Sequence, residues 1–275
     1  MSSILTNHSA MVALSTLNDV NRSLNETQNR VSSGLAIRSG KENAAYFAIS
    51  ETMKGDSGMF KAINEGMTAT RNSVATARLG AETVADLAEQ MVERIAFGIS
   101  DGVNQDDVQL ELDALAANML SAVNQATFNG DDLVTGTAAV SVVNGVTRSG
   151  GFAVTTFSFN QVDLSAIQGV LDGIDLAGAA DATARAALLT TAEAQLGLAI
   201  DAATSFGITE KTLDNQMQFI DSLTDTLDSG ISSMVDADME EEAARLQAFQ
   251  VQQQLATQSL SIANQAPQNI LTLFR

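Results

Sequence analysis

The sequence predicts a mainly α protein: a long antiparallel helical rod, coiled-coil at its ends, with a small β-hairpin region in the middle. Three observations carry this. Apolar residues make up 45% of the 275 positions but aromatics only 4%, so the apolar content is aliphatic and alanine, which suits helices packed on helices. One proline, Pro267, stands in the whole length, so little interrupts a helix. Both ends carry sparse rows spaced 4, 3, 4, 3, 4, the repeat of a coiled coil.

From Ile4 to Val31 a polar background carries the row Ala13, Leu17, Val20, Leu24, Thr27, Val31, and Ser32-Ser33-Gly34 closes this first helix. A second helix is expected over about 42–97, roughly 80 Å if continuous at 1.5 Å per residue, weakened locally by Gly55, Gly58 and Gly66. A third spans about 106–126, with Val108, Leu112, Leu115, Met119 and Val123 on a broad apolar face. Phe128-Asn129-Gly130 is a turn. Residues 140–147 read as a hairpin turning at Asn144-Gly145, because Asn-Gly supplies the positive φ angles of a two-residue turn. Residues 152–159 read as a strand whose alternation shifts phase between Val154 and Phe157, which suggests a bulge there. Helices return from about Asp181, with a bend expected at Phe206-Gly207 and a break at 235–238. The last helix carries Ala244, Ala248, Val251, Leu255, Gln258 and Ile262, and Pro267 is expected to stop it before a short tail with Leu271 and Phe274. The simplest packing sets the first and last helices side by side, antiparallel.

Composition also excludes chemistry. With no cysteine there are no disulfides, thiol catalysis or cysteine-held metal, and a single histidine, His8, excludes multi-histidine sites. Net charge is −19, whereas a nucleic-acid binder needs a basic face, so no nucleic acid is expected as a partner. No apolar window approaches the length of a transmembrane helix, so no membrane insertion is expected, and residues 1–24 lack the form of a cleaved secretory signal. Neither a metal nor any other cofactor is expected.

Gly55-Asp56-Ser57-Gly58 matches the core of a serine-protease signature, but that chemistry needs a histidine on the serine and an aspartate behind it, and only His8 exists. The tetrapeptide is read as chance and the chain as not an enzyme. The acidic run Asp236, Asp238, Glu240, Glu241, Glu242 lacks the spacing of a calcium loop, and is read as Asp238 capping the last helix with glutamates in its first turn. The Asn-x-Ser/Thr triplets at Asn7, Asn21 and Asn25 follow from local composition. Gln247, Gln250, Gln252, Gln253, Gln254 and Gln258 leave the last helix either solvated or bonded to neighbouring chains. The terminal helices carry little apolar area per turn, so association with other copies is expected to order them.

Four segments resemble bacterial flagellin in the family's order, especially the short alphaproteobacterial form. They are Leu24 to Ile37, Gly40 to Ser50, the turn Gln125-Ala126-Thr127-Phe128-Asn129-Gly130, and Ala256 to Arg275 with its lone Pro267, together covering about 1–130 and 210–275. The resemblance implies a structural subunit that self-assembles as a homopolymer into the extracellular flagellar filament for swimming motility. It divides the chain into 1–40 and 237–275, the two halves of an inner coiled-coil domain, and 41–236, a rod domain with its β region at about 131–165. It implies inter-subunit and coiled-coil seam positions at Ala13, Leu17, Val20, Leu24, Val31, Ala244, Ala248, Val251, Leu255, Ile262, Leu271 and Phe274. Implied partners are a flagellar cap protein, hook-associated junction proteins, an export chaperone and the type III export apparatus. The chain is then secreted without a cleaved signal, and its ends are protease-sensitive before assembly.

A hook–filament junction protein of the same superfamily is the alternative. There the acidic motif resembles Ser-Asp-Asp with a following proline, whereas Lys41-Glu42-Asn43-Ala44-Ala45 has none. Flagellins recognised by Toll-like receptor 5 present a Gln-Arg-Val-Arg-Glu-Leu patch. The aligned stretch here, Gln90-Met91-Val92-Glu93-Arg94-Ile95, has lost the first arginine and reversed the next charge pair, so weak or no recognition is expected. Family analogy also points to O-glycosylation in the hairpin region, at Thr135, Thr137, Ser141, Thr147, Ser149, Thr155 or Thr156. The charge of −19 predicts that screening salt promotes polymerisation.

Overall fold

A computed structural model describes the backbone of residues 6–100, 102–147 and 151–272 and the side chains of these residues up to 265. The described elements are α1 (His8–Ser33), α2 (Ala44–Gly98), α3 (Gln105–Gln125), β1 (Thr127–Phe128), β2 (Asp131–Asp132), β3 (Ala139–Thr147), β4 (Ala153–Asn160), α4 (Leu164–Asp172), α5 (Ala182–Val235) and α6 (Met239–Thr272). Contacts divide the chain into two compact units. One comprises Met1–Ser57 and Thr226–Arg275, the other Gly58–Asp225. The long helices α2 and α5 contribute residues to both.

Helix ends follow local chemistry. Asn7 caps α1 by accepting from the Ala10 N–H, and Gly34 ends it at φ 73°, donating its own N–H to the Arg30 carbonyl. Asn104 caps α3, with Asp106 and Asp107 in the first turn where the helix dipole favours them. Asp238 caps α6 by accepting from the Glu240 and Glu241 N–H groups. Asp163 caps α4 by accepting from the Ala166 N–H at 2.9 Å and the Ser165 hydroxyl at 2.5 Å. Those two bonds, the hydroxyl first, hold its carboxyl below the usual aspartate range.

Several sequence expectations are corrected. Residues 139–147 form one strand, paired antiparallel with β4, so no turn lies at Asn144-Gly145. A two-residue turn of that kind needs positive φ at both positions, and neither residue has it. Asn144 is instead the extra residue of a bulge, since Val143 pairs with Thr156 and Gly145 with Thr155. The irregularity expected on the second strand therefore sits on the first. Pro267 lies inside α6, whose helical backbone runs on to Thr272, and α5 continues through Phe206-Gly207. The short helix α4 had no strong sequence signal; its nine residues are too few for a clear period. The Asn129-Gly130 turn forms as expected between β1 and β2, with φ 51° and 87°.

In the Gly58–Asp225 unit the core repeats every seven residues on both long helices. Met67, Val74, Ala81, Ala88 and Ile95 of α2 are buried, as are Ala192, Ala199, Phe206, Leu213 and Ile220 of α5. Ala77, Val84 and Met91 of α2, Val108, Leu112 and Met119 of α3, and Leu164 and Leu171 of α4 belong to the same core. Close approach demands glycine at position 80, where a Cβ would stand 2.4 Å from the Ala126 Cβ. Among the described residues no helix is long and apolar enough to cross a membrane.

Candidate functional site: the paired terminal helices

In the other unit α1 and α6 pack antiparallel. Asn7 donates through Nδ2 to the Ala263 carbonyl at 2.7 Å, Gln253 through Nε2 to Asn21 Oδ1 at 2.7 Å, and Arg30 through Nη1 to Glu242 Oε1 at 3.3 Å. Partner numbers fall on α6 as they rise on α1, which fixes the direction. The connecting segments pair as well. The Ala36 N–H donates to the Val235 carbonyl at 2.7 Å and the Ala237 N–H to the Gly34 carbonyl at 2.9 Å. Beside them the Arg38 N–H bonds to Glu42 at 2.6 Å and holds that carboxyl below the usual glutamate range.

On α1 the residues Val20, Leu24 and Thr27 are buried, and Ala13, Leu17 and Val31 are half-buried. On α6 the positions named from the sequence do not face α1. Ala244, Ala248, Val251, Leu255 and Ile262 are exposed, the last three at 55, 59 and 62%. The buried or half-buried row is Glu242, Leu246, Phe249, Gln253, Ala256, Leu260 and Ala263, and it includes the residues bonded to α1. Its spacing, 4, 3, 4, 3, 4, 3, is the same heptad repeat on another face. The period was visible in the sequence. Two rows share it, and only contact with α1 selects between them. Leu271 and Phe274 lie outside the residues whose side chains are described.

Glu242 anchors the selected row. Its carboxylate is buried and meets Arg30 at 3.3 Å and Arg245 at 3.2 Å through the same oxygen. Sequence reasoning placed Glu242 among first-turn glutamates; its partner lies 212 residues away and leaves no local signal. Of the α6 glutamines, Gln253 is half-buried within the chain and the others singled out are exposed. The outer row borders a groove of about 720 Å³ between the helices, lined by Val12, Ala13 and Val20 of α1 and by Leu255, Ala256 and Ile262 of α6. Met11, Val12 and Leu14 expose further apolar surface on α1.

The remaining candidates behave as follows. Ser57 is buried and donates its hydroxyl to Asp228 Oδ1 at 2.7 Å, an arrangement that binds a helix pair. No group of three ligating side chains able to hold a metal occurs among the described residues. In the segment aligned with the receptor patch, Met91 and Ile95 are fully buried in the core, Val92 is half-buried, and Gln90, Glu93 and Arg94 are exposed. Arg94 pairs with Glu111 at 3.1 Å. Thr135, Thr137, Ser141, Thr155 and Thr156 are exposed, Thr147 is half-buried, and Ser149 lies outside the described residues. Thr135 is engaged as a hydroxyl donor to Asp132.

Comparison with known proteins bears on this architecture. Residues 4–139 match the family model of the bacterial flagellin N-terminal helical region, and 187–274 that of the C-terminal helical region. A flagellin of Brucella melitensis is 37% identical across all of both chains, and flagellin C of Rhizobium meliloti 33% identical, also across all of both. The solved structure of a putative flagellar hook-associated protein from Vibrio parahaemolyticus shares the fold. It has a TM-score of 0.54 at 12% identity, over 71% of this chain and all of that one. The chain belongs to the bacterial flagellin family. It is a structural subunit of the flagellar filament, self-assembling and without enzymatic function.

Proposed function

We propose that the exposed row of α6 is the assembly face of this subunit. One observation carries the reading: α6 bears two heptad rows, the first spent on α1 and the second, with Val251, Leu255 and Ile262, left in solvent beside an apolar groove. A two-faced helix needs a further helix on its second face, and neighbouring copies supply it in a homopolymer. Residues 1–40 and 237–275 then form the inner coiled-coil layer and 41–236 the layer outside it. The subunit is exported through the type III apparatus with an export chaperone, assembles under a cap protein, joins the hook through junction proteins, and works outside the cell.

Seeding the purified protein with filament fragments and following tube growth by electron microscopy tests this. Leu255→Asp is expected to abolish growth while leaving the unfolding of the Gly58–Asp225 unit unchanged; undiminished growth would refute the assignment. Copy number in isolated filaments separates this role from a junction protein: thousands per filament, against one ring. Because Met91 is core and Arg94 is engaged by Glu111, the segment 90–95 is expected to elicit little receptor response. A reporter-cell signal equal to that of a recognised flagellin would contradict this.

A further inference from the structure

A second repeat, polar rather than apolar, runs beside the core of the Gly58–Asp225 unit. Asn64 donates to Asp221 and Arg71 through Nε to Asp214, while Arg78 donates through Nε to Glu210 at 2.8 Å. The donors lie on α2, seven residues apart, and every acceptor is a carboxylate of α5. Arg71 also approaches Glu210, at 3.5 Å, and Arg78 also holds Glu82 of its own helix. In the other unit Ser57 and Asp228 continue the same spacing.

The exception in this repeat is informative. Seven residues before Asp214, where the period would set another carboxylate opposite Arg78, stands Gly207. A Cβ there would lie 3.7 Å from Arg78 Cδ, so the arginine stem crosses the glycine to reach Glu210, three residues further along α5.

The apolar core distinguishes this alignment only through side-chain size. Its residues recur every seven positions on both helices, so a slip of one heptad replaces apolar by apolar. The polar row does discriminate. In the observed register partner numbers sum to 285 (64 with 221, 71 with 214). A slip of seven in one sense hands Arg71 the path past Gly207 to Glu210 and sets Arg78 against Ile200, with no α5 carboxylate. In the other, Arg78 takes the place of Arg71 at Asp214 and Glu210 and Arg71 falls opposite Asp221, so both arginines stay paired and only the crossing at Gly207 is lost, to Ala85.

We propose that Arg71, Arg78, Glu210 and Asp214, with the gap at Gly207, form a one-sided register key of the α2–α5 pair, barring the one-heptad slip that would set Arg78 against Ile200. Polar residues at single positions of coiled coils act in this way, specifying alignment rather than adding large stability. In a polymer of identical copies the key makes every copy present the same surface. That consequence rests on the assembly reading; the key itself does not.

The test uses the full chain in its unassembled form. The absence of cysteine allows spin labels at Glu65→Cys on α2 and Glu193→Cys on α5, both exposed and well separated along the helix axes, so that an axial slip changes the distance directly. One heptad displaces the helices by about 10 Å along their axes, well within what pulsed dipolar spectroscopy resolves. The parent chain is expected to give one narrow distance distribution. Arg71→Gln/Arg78→Gln should broaden it or add a second population, and Glu210→Gln/Asp214→Asn should do the same from the acceptor side. Arg71→Lys/Arg78→Lys, which keeps the charges, should stay narrow. A distribution in both neutral pairs as narrow as the parent's, at the same distance, overturns the proposal. Should the arginine pair fail to fold by circular dichroism, the acceptor pair decides alone. Seeded tube growth by the parent chain is read separately, so failure of the assembly reading does not touch this result.

Discussion

Replacing Gly80 with alanine sets two opposing terms against each other in the middle of α2. A helix-interior alanine is favoured over glycine by about 1 kcal/mol. Against that, the new Cβ would stand 2.4 Å from the Ala126 Cβ, so α2 and the end of α3 must separate by roughly 1 Å before ordinary contact is restored. Ala126 is buried at 5% exposure where α3 passes into β1, which leaves it little room to move. Overpacking of this kind costs about 1–3 kcal/mol, so the clash wins and the expected net loss is about 1 kcal/mol. Gly66 on the same helix provides the control: nothing lies within 4 Å of its added Cβ, so Gly66→Ala keeps the propensity gain of about 0.5–1 kcal/mol. The two variants should differ by about 2 kcal/mol, or about 4–8 °C in the thermal midpoint for a unit of this size. Far-UV circular dichroism of the unassembled chain measures this, and Ala126→Gly in the Gly80→Ala background should recover most of the loss. If Gly80→Ala melts at or above Gly66→Ala, the close approach of α2 and α3 does not limit stability and the reasoning is wrong.

Three further outcomes are expected. Glu242→Gln keeps the shape of the buried side chain but removes the charge held by Arg30 and Arg245; assembled filaments should come apart several degrees lower, from a loss of about 1.5–3 kcal/mol per subunit, and an unchanged dissociation temperature would show that the ion pair adds nothing. Asp163→Ala should cost about 1 kcal/mol at neutral pH through the lost cap. Because the folded carboxyl titrates below its unfolded value, that contribution is complete above about pH 4 and is lost as pH falls through the depressed folded value, so urea unfolding at pH 7 and pH 3 should show the gap between variant and parent closing in acid. With a net charge of −19, moderate salt should speed seeded polymerisation by screening repulsion between copies, and turbidity that rises more slowly as salt increases would contradict this.

Much of the molecule is legible without coordinates. Scarce proline and aliphatic composition announce long helices, and α2 and α5 run 55 and 54 residues. Asn104 and Asp238 each stand where a cap belongs, and Gly34 where a helix must end, because these effects act within one turn; Asn7, read within the helix, proves to be its cap. Local rules misread other places. Asn144-Gly145 has turn chemistry but is held extended by the β4 partner strand, and Pro267 sits within a helix whose local signal was to stop. Met91 could be aligned with a surface arginine by sequence, yet it faces inward because the core of α2 repeats through Met67, Val74, Ala81, Ala88 and Ile95 and claims that side of the helix.

The sequence by itself determined the long helices, the cap at Asp238, the heptad period at both ends and the family to which the chain belongs, because each of these is written in neighbouring residues or in recurring spacing. Only the tertiary structure decided which of two equally periodic rows on α6 faces α1, and which α5 carboxylate each α2 donor meets. A repeat of seven looks the same after a shift of seven and can recur on more than one face. The choice therefore falls to pairs such as Arg30 with Glu242 and Arg78 with Glu210, 212 and 132 residues apart. Bonds at that separation exist only once the chain has folded back on itself.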